Sequence, residues 1–129
     1  MANWHKENAE HLRRYRARYS RTIDRRYVVM QRLARNRELP CTVTLSEFRE
    51  LLQKACAYCG FDLNETGCGL DRMDNALGYV IENVAPCCHV CNQAKSDFFS
   101  ADEMKTMIGP SIRAVRMGRA NEKKNENLF

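Results

Sequence analysis

Four of the seven cysteines in this 129-residue chain form two matched pairs. Two residues separate Cys56 from Cys59, two separate Cys88 from Cys91, and 28 residues lie between the pairs. Such pairs can place four thiolates around one zinc ion, with bonds of about 2.3 Å. Since four protein ligands leave no position open for a substrate, we expect the zinc to be structural and its loss to unfold the surrounding segment.

The remaining cysteines have other possible roles. Cys87 could replace Cys88 as a ligand, but three residues would then separate it from Cys91, so Cys88 fits the pairing better. Buried or redox-active thiols are the other explanation for this many cysteines. The chain shows no secretory signal and no apolar run long enough to span a membrane. We therefore expect reduced thiols in the cytoplasm, or in the nucleoid or nucleus of a host cell, and Cys41, Cys68 and Cys87 as free thiols.

Basic residues are concentrated at the start of the chain. Residues 1–37 carry eleven basic and three acidic side chains, whereas the whole chain has a net charge of +5, so the remainder is net negative. Apolar residues recur there every three or four positions, which predicts one long helix from about residue 7 to 36. Its apolar stripe consists of Leu12, Tyr15, Tyr19, Ile23, Tyr27, Met30 and Leu33.

This basic arm has two interpretations. Its stripe could pack against the body of the protein or against a second copy, which would give a homodimer. Its arginines could instead contact the phosphates of nucleic acid, since the planar guanidinium suits phosphate geometry. The arginines expected to do so are Arg13, Arg14, Arg16, Arg18, Arg21, Arg25 and Arg26.

The rest of the chain predicts a small α+β domain with short flanking helices. Thr44 and Glu47 form a capping box that opens a helix after Pro40. Short apolar runs at 69–70 and 84–86 predict the two strands of one hairpin, followed by a helix over about 88–98.

A second capping box lies near the end of the chain, formed by Ser100 and Glu103. Its helix should stop near Gly109 and Pro110, before a last basic helix over about 111–120 and a disordered polar tail. The predicted organisation is a basic helical arm at 1–37, a zinc-bound domain at 44–109 and a C-terminal segment at 110–129.

A longer pattern runs from Leu70 to Lys95 and reads L-D-R-x-D-N-x-x-G-Y-x-x-x-N-V-x-P-C-C-x-x-C-N-x-x-K. With the upstream C-x-x-C pair it resembles the HNH (ββα-metal, His-Me finger) endonucleases, especially the zinc-stapled type common in phages, viruses and introns. The resemblance covers about residues 44–100. It implies a treble-clef-like ββα-metal fold, hydrolysis of phosphodiester bonds, and DNA as the partner.

The resemblance also implies roles for individual residues. Asp71 at the end of the first strand and Asn92 in the following helix would bind one catalytic cation, Mg²⁺ or Mn²⁺. Asn83 matches the asparagine that braces the loop through its backbone, and Lys95 would face the phosphate. Taken singly, Asp71 and Asp74 are also typical turn residues, and Asn92 is a typical helix-terminal residue.

Arg72 departs from the family pattern, because most members have there the histidine that activates water. A guanidinium stays protonated, so Arg72 cannot be a general base, although it could bind the scissile phosphate or stabilise developing charge. His89, Asp74 or a metal-bound water could supply the base. Otherwise catalysis rests on metal and arginine alone, or the fold is retained without activity.

The predicted function is therefore a metal-dependent DNA endonuclease or nickase of the HNH type. The alternatives are a noncatalytic zinc module that binds nucleic acid or a protein assembly, and a nuclease that acts on RNA or branched DNA.

Overall fold

Helix α1 spans Ile23–Asn36 in the computed structural model, which describes residues 8–11, 13–14, 22–63 and 68–126. Thr22 caps the helix: its backbone is extended, and its side chain accepts a hydrogen bond from the Arg25 N–H. A helix cannot continue through an extended residue, so the prediction of one helix over 7–36 is wrong at Thr22.

The apolar side of α1 packs against the body of the protein. Met30 and Ala34 are buried in the core. The Tyr27 hydroxyl donates a hydrogen bond to the Val43 carbonyl at 2.8 Å, and its ring centroid lies 5.5 Å from that of Phe48. Tyr27 and Met30 of the predicted stripe therefore pack in the domain core, whereas Leu33 is 38% exposed. The stripe members Leu12, Tyr15 and Tyr19 lie outside the described residues.

Helix α2 spans Leu45–Leu52 and begins at the predicted capping box. The Thr44 side chain accepts from the Glu47 N–H at 3.1 Å, and the Glu47 carboxylate accepts from the Thr44 N–H at 2.9 Å. Phe48 and Leu52 are buried on the side of this helix that faces the core.

The predicted hairpin consists of strand β1, Cys68–Arg72, and strand β2, Val84–Cys88. The strands are antiparallel, and Asp71 lies opposite Ala85 in the register. Helix α3, His89–Lys95, follows β2 without a loop, because the backbone turns from extended to helical directly after Cys88. The result is a ββα unit in an α+β architecture, as predicted.

The C-terminal segment is one helix in three parts. Helix α4, Ala101–Glu103, starts at the predicted Ser100 capping box, continues through a π-helical turn at Met104–Ile108, and becomes helix α5 at Gly109–Glu126. The predicted stop near residues 109–110 is wrong, and the predicted disordered tail is helical through residue 126.

The π turn explains how the helix continues. The Gly109 N–H bonds to the carbonyl of Met104, five residues earlier, so the helix is widened just before Pro110. The proline ring would otherwise clash with the carbonyl four residues before it. Gly109 is buried, and a Cβ there would collide with the Tyr58 carbonyl. Glycine is therefore required for packing at this position and does not end the helix.

Among the described residues, one buried cluster joins these elements. Its members are Met30, Ala34, Val43, Phe48, Leu52, Cys56, Tyr58, Cys59, Leu63, Tyr79, Val84, Cys87, Cys88, Cys91 and Met104. In the described part of the chain, no helix combines the length and apolar character needed to cross a membrane.

Candidate active site and metal centre

The four paired cysteines meet in the interior of the domain. Each is at most 3% exposed. Their four sulfurs lie within 4.8 Å of one another, and the Cys59 and Cys88 sulfurs are 3.6 Å apart. Metal–sulfur bonds of about 2.3 Å predict tetrahedral edges of about 3.8 Å. The cluster therefore fits one metal ion with four thiolate ligands.

The backbone conformation and two backbone N–H groups around the cluster are suited to metal-bound thiolates. Gly60, directly after the first pair, has a left-handed φ of 76°, which favours glycine. The Cys88 N–H donates to the Cys56 sulfur and the Cys91 N–H donates to the Cys88 sulfur, each at 3.4 Å. Both N–H groups therefore point at sulfurs of the cluster, where they would complement the charge of metal-bound thiolates.

Cys87 stays outside the cluster, as predicted. Its sulfur donates to the Cys88 carbonyl at 3.4 Å. A hydrogen bond with Cys56 and burial raise the pKa of the Cys87 thiol above its usual range. Among the cysteines whose side chains the structure describes, none forms a disulfide, and Cys41 is a partly buried free thiol. The side chain of Cys68 lies outside the described set.

An open groove of about 970 Å³ lies between α1 and the ββα unit. Four of the five residues predicted to be catalytic line it: Asp71, Arg72, His89 and Asn92. His89 and Asn92 are exposed on the first turns of α3. Residues of α1 and its C-terminal end, including Arg26 and Arg37, also line the groove.

Asp71 is 6% exposed and both of its carboxylate oxygens have protein partners. The Tyr58 hydroxyl donates to one oxygen at 2.5 Å, and the Lys95 ammonium lies 3.4 Å from the other. Burial and the neighbouring carboxylate raise the pKa of Tyr58, so its hydroxyl keeps the proton it donates. A carboxylate can accept about four hydrogen bonds or metal bonds, so Asp71 retains acceptor capacity.

Lys95 lies in the interior, not at the surface where it was expected to face a phosphate. It is 1% exposed, and its ammonium also donates to the Arg72 carbonyl at 3.2 Å. Tyr58 was not among the predicted site residues. Its position between two cysteine ligands, which forces it into the interior, was the signal that could have indicated it.

Arg72 is held at the edge of the groove by the loop that follows β1. Its Nη1 donates to the carbonyls of Asn75 at 2.6 Å and Leu77 at 3.0 Å. Its guanidinium carbon lies 5.4 Å from the centroid of the Tyr79 ring, a cation–π arrangement. The Tyr79 hydroxyl in turn accepts a hydrogen bond from Arg37 at 3.3 Å, which links the groove to the end of α1.

Asn83 braces the loop between the strands. Its amide nitrogen donates to the carbonyls of Asp74 at 3.1 Å and Gly78 at 3.0 Å, and its oxygen accepts from the Asp74 N–H at 2.9 Å. These are the backbone hydrogen bonds expected of Asn83. The Asp74 side chain accepts from the Ala76 N–H at 2.9 Å, so Asp74 serves the turn and does not line the groove.

The arginines predicted to bind nucleic acid are only partly described. Arg14 pairs with Glu10 at 2.8 Å on the exposed surface of the helical segment that includes Arg13. Arg25 and Arg26 lie on α1 and are partly exposed. The remaining three, Arg16, Arg18 and Arg21, lie outside the described residues.

The hairpin followed directly by a helix, with a four-cysteine cluster beside it, defines the class of the domain. In its fold, this chain is similar to the HNH (ββα-metal) endonucleases. Among solved structures, it is similar to the rare-cutting HNH restriction endonuclease PacI. The two chains superpose with a TM-score of 0.68 and 26% sequence identity, over 77% of this chain and 82% of PacI.

A viral protein also shows sequence similarity. The uncharacterized protein R423 of Acanthamoeba polyphaga mimivirus is 32% identical over 79 residues, which is 61% of this chain but only 15% of the viral protein. This chain therefore corresponds to a small part of that relative. No protein-family model matches the chain.

Proposed function

We propose that this chain is a metal-dependent DNA endonuclease or nickase that hydrolyses phosphodiester bonds. One observation carries the proposal: the groove beside the hairpin gathers Asp71, Arg72, His89 and Asn92 within a fold similar to that of a restriction endonuclease. A site lined by a carboxylate, an amide, an imidazole and a guanidinium contains the groups that metal-assisted phosphodiester hydrolysis requires.

Two metal sites with different donor sets follow from this proposal. The four thiolates suit zinc, which accepts tetrahedral sulfur ligands and would hold the hairpin against α3. The Asp71 and Asn92 oxygens suit Mg²⁺ or Mn²⁺, which prefer oxygen ligands. When such a cation is bound, it would stabilise the charge on the leaving oxygen of the phosphodiester.

The chain's own residues supply the other roles. Asp71 is oriented by the Tyr58 hydroxyl and the Lys95 ammonium, so its outward lone pairs have a fixed direction. Arg72 would bind the scissile phosphate and stabilise the charge that develops on it. His89 would accept the proton of the attacking water, because Asp74, the other candidate side chain, does not line the groove.

DNA affinity would come from the basic surface at the N-terminal side. Arg26 and Arg37 line the wall of the groove opposite the ββα unit, and the arm before Thr22 adds further arginines. Contacts of this kind bind phosphates with little regard to sequence and weaken as salt rises. A homodimer would have to use surfaces other than the buried part of the α1 stripe.

Plasmid cleavage tests the proposal. Supercoiled plasmid is incubated with the zinc-loaded protein and Mg²⁺ or Mn²⁺, alongside Asp71→Asn and Asn92→Ala. Asp71→Asn keeps the shape of the side chain, and Asn121→Ala, on the exposed surface of α5, is the matched control. We expect nicked or linear product from the wild type and the control, and at least a hundredfold slower cleavage from both site variants.

A noncatalytic nucleic-acid-binding zinc module is the second candidate. The engagement of both Asp71 oxygens by Tyr58 and Lys95 favours it, because a purely structural carboxylate would look the same. Intact plasmid with every variant, together with salt-sensitive DNA binding, would support this candidate and reject the nuclease.

A further inference from the structure

Helix α5 lies against the four-cysteine cluster and contacts it through two arginines. Arg116 Nη1 is 3.8 Å from the Cys59 sulfur and 3.9 Å from the Cys88 sulfur. Arg113, one turn earlier, donates to the Cys59 carbonyl at 3.1 Å. A helix that the sequence predicted as a separate basic segment is therefore part of the surroundings of the metal centre.

An aromatic ring fixes both guanidinium groups in place. The Arg116 guanidinium carbon lies 4.0 Å from the centroid of the Phe61 ring, and that of Arg113 lies 5.8 Å from it. Gly60 leaves room for this arrangement, since a Cβ there would be 2.5 Å from Arg113 Nη1. These contacts hold the positive charge of Arg116 at one orientation toward the sulfurs.

Charge explains why an arginine is favourable at this place. Four thiolates around one divalent ion carry a formal charge of about −2, and all four cysteines are almost fully withdrawn from water. An isolated charge in such a place is costly unless an opposite charge is close to it. Arginine stays protonated under all ordinary conditions and can donate to two acceptors at once.

We propose that Arg116, positioned by Phe61 and assisted by Arg113, is an outer-sphere residue of the metal centre that slows the release of the metal. To the extent that Arg116 raises the equilibrium affinity for the metal, the bound metal must stabilise the docking of α5 by the same coupling free energy. Metal retention and helix docking by Arg116 do not depend on whether the groove cleaves DNA.

Zinc release from the full-length, zinc-loaded chain measures the first part. The chromophoric chelator 4-(2-pyridylazo)resorcinol reports the rate for the wild type, Arg116→Gln, Arg116→Lys and the control Arg119→Gln, an exposed position three residues further along α5. We expect Arg116→Gln to release zinc about ten times faster, because loss of outer-shell partners lowers metal affinity about 10–100-fold. The Arg116→Lys variant should release zinc at a rate between those of the wild type and Arg116→Gln, since lysine keeps the positive charge but lacks the planar guanidinium.

A release rate for Arg116→Gln within about twofold of the wild-type rate would overturn the proposal. Equal acceleration by Arg119→Gln would overturn it as well, because the effect would then be one of net charge. Arg116→Lys keeps the test decisive if the glutamine variant does not fold, since the lysine variant must still release zinc faster than the wild type.

Hydrogen exchange of the zinc-loaded variants measures the second part. Peptides from α5 should lose protection in Arg116→Gln, while peptides from α2, which among the described residues has no hydrogen bond or cation–π contact with Arg116, keep theirs. Unchanged protection in α5 refutes the coupling between metal and helix. An equal loss in both helices also refutes it, because that result indicates general unfolding of the domain.

Discussion

Replacement of Lys95 by methionine tests the buried ion pair between β1 and α3. The Lys95 ammonium lies 3.4 Å from the Asp71 carboxylate, and the two side chains are 2% and 7% exposed. At this distance, and with an effective dielectric constant of about 20, two unit charges attract each other by about 5 kcal/mol. The same ammonium satisfies the Arg72 carbonyl at 3.2 Å.

Methionine keeps the length and apolar bulk of lysine but removes its charge. In Lys95→Met the Asp71 carboxylate remains buried, with the Tyr58 hydroxyl as its partner. Removal of one member of a buried pair costs about 3–5 kcal/mol, so we expect the free energy of unfolding to fall by that amount. Asp71→Asn removes the orphaned charge, so the double variant should recover about 1–3 kcal/mol relative to the sum of the single changes.

Urea unfolding of the zinc-loaded proteins, followed by far-UV circular dichroism at a fixed zinc concentration, provides both values. Lys105→Met, at an exposed position in the π turn, is the matched control and should change stability by less than about 0.5 kcal/mol. The reasoning fails if Lys95→Met is as stable as this control. It also fails if Asp71→Asn brings no recovery in the Lys95→Met background.

Three other perturbations have defined outcomes. Chelation of the metal should remove the cooperative unfolding transition, because metal binding energy is folding energy in small sites; a chelated protein with wild-type circular dichroism contradicts this. Hydrogen bonds from the Ser100 backbone and side chain lower the pKa of the Glu103 carboxyl below 4.5. The stability that the ionised Glu103 gives to the fold is therefore present above that pH and is lost as the pH falls. Glu103→Gln should therefore flatten the acid limb of a stability–pH curve measured by urea midpoints, and an unaltered limb would argue against this capping role. A chain that begins at Thr22 should keep its metal and core but bind DNA more weakly and with a shallower salt dependence, whereas equal affinity in a filter-binding assay assigns the arm another role.

Features that depend on neighbouring residues were predicted correctly from the sequence. The capping boxes at Thr44 and Ser100 close hydrogen bonds between residues three positions apart, so a few residue types are enough to specify them. The cysteine pairs belong to the same class, because a C-x-x-C segment brings two sulfurs to one side of a turn. The strands followed from short apolar runs, and their pairing followed from the single loop that joins them.

The sequence predictions failed where a local signal served a distant contact. Gly109 and Pro110 have the composition of a helix end, yet Gly109 allows α5 to approach the Tyr58 backbone, and a π turn accommodates the proline. In the arm, the apolar period continues through Thr22, although the backbone there is extended and a new helix begins. In both places, packing and capping decided where the helix begins or ends, and the local residue pattern did not.

The sequence by itself determined the four-cysteine cluster and the ββα unit beside it, because short-range spacing and turn chemistry specify both. Only the tertiary structure decided the partners of those groups. Tyr58 and Lys95 reach Asp71 from positions 13 residues before and 24 residues after it, and Arg116 reaches the Cys59 sulfur across 57 residues. Such contacts form because buried charges need partners, and which partner lies within reach depends on how the helices pack around the core.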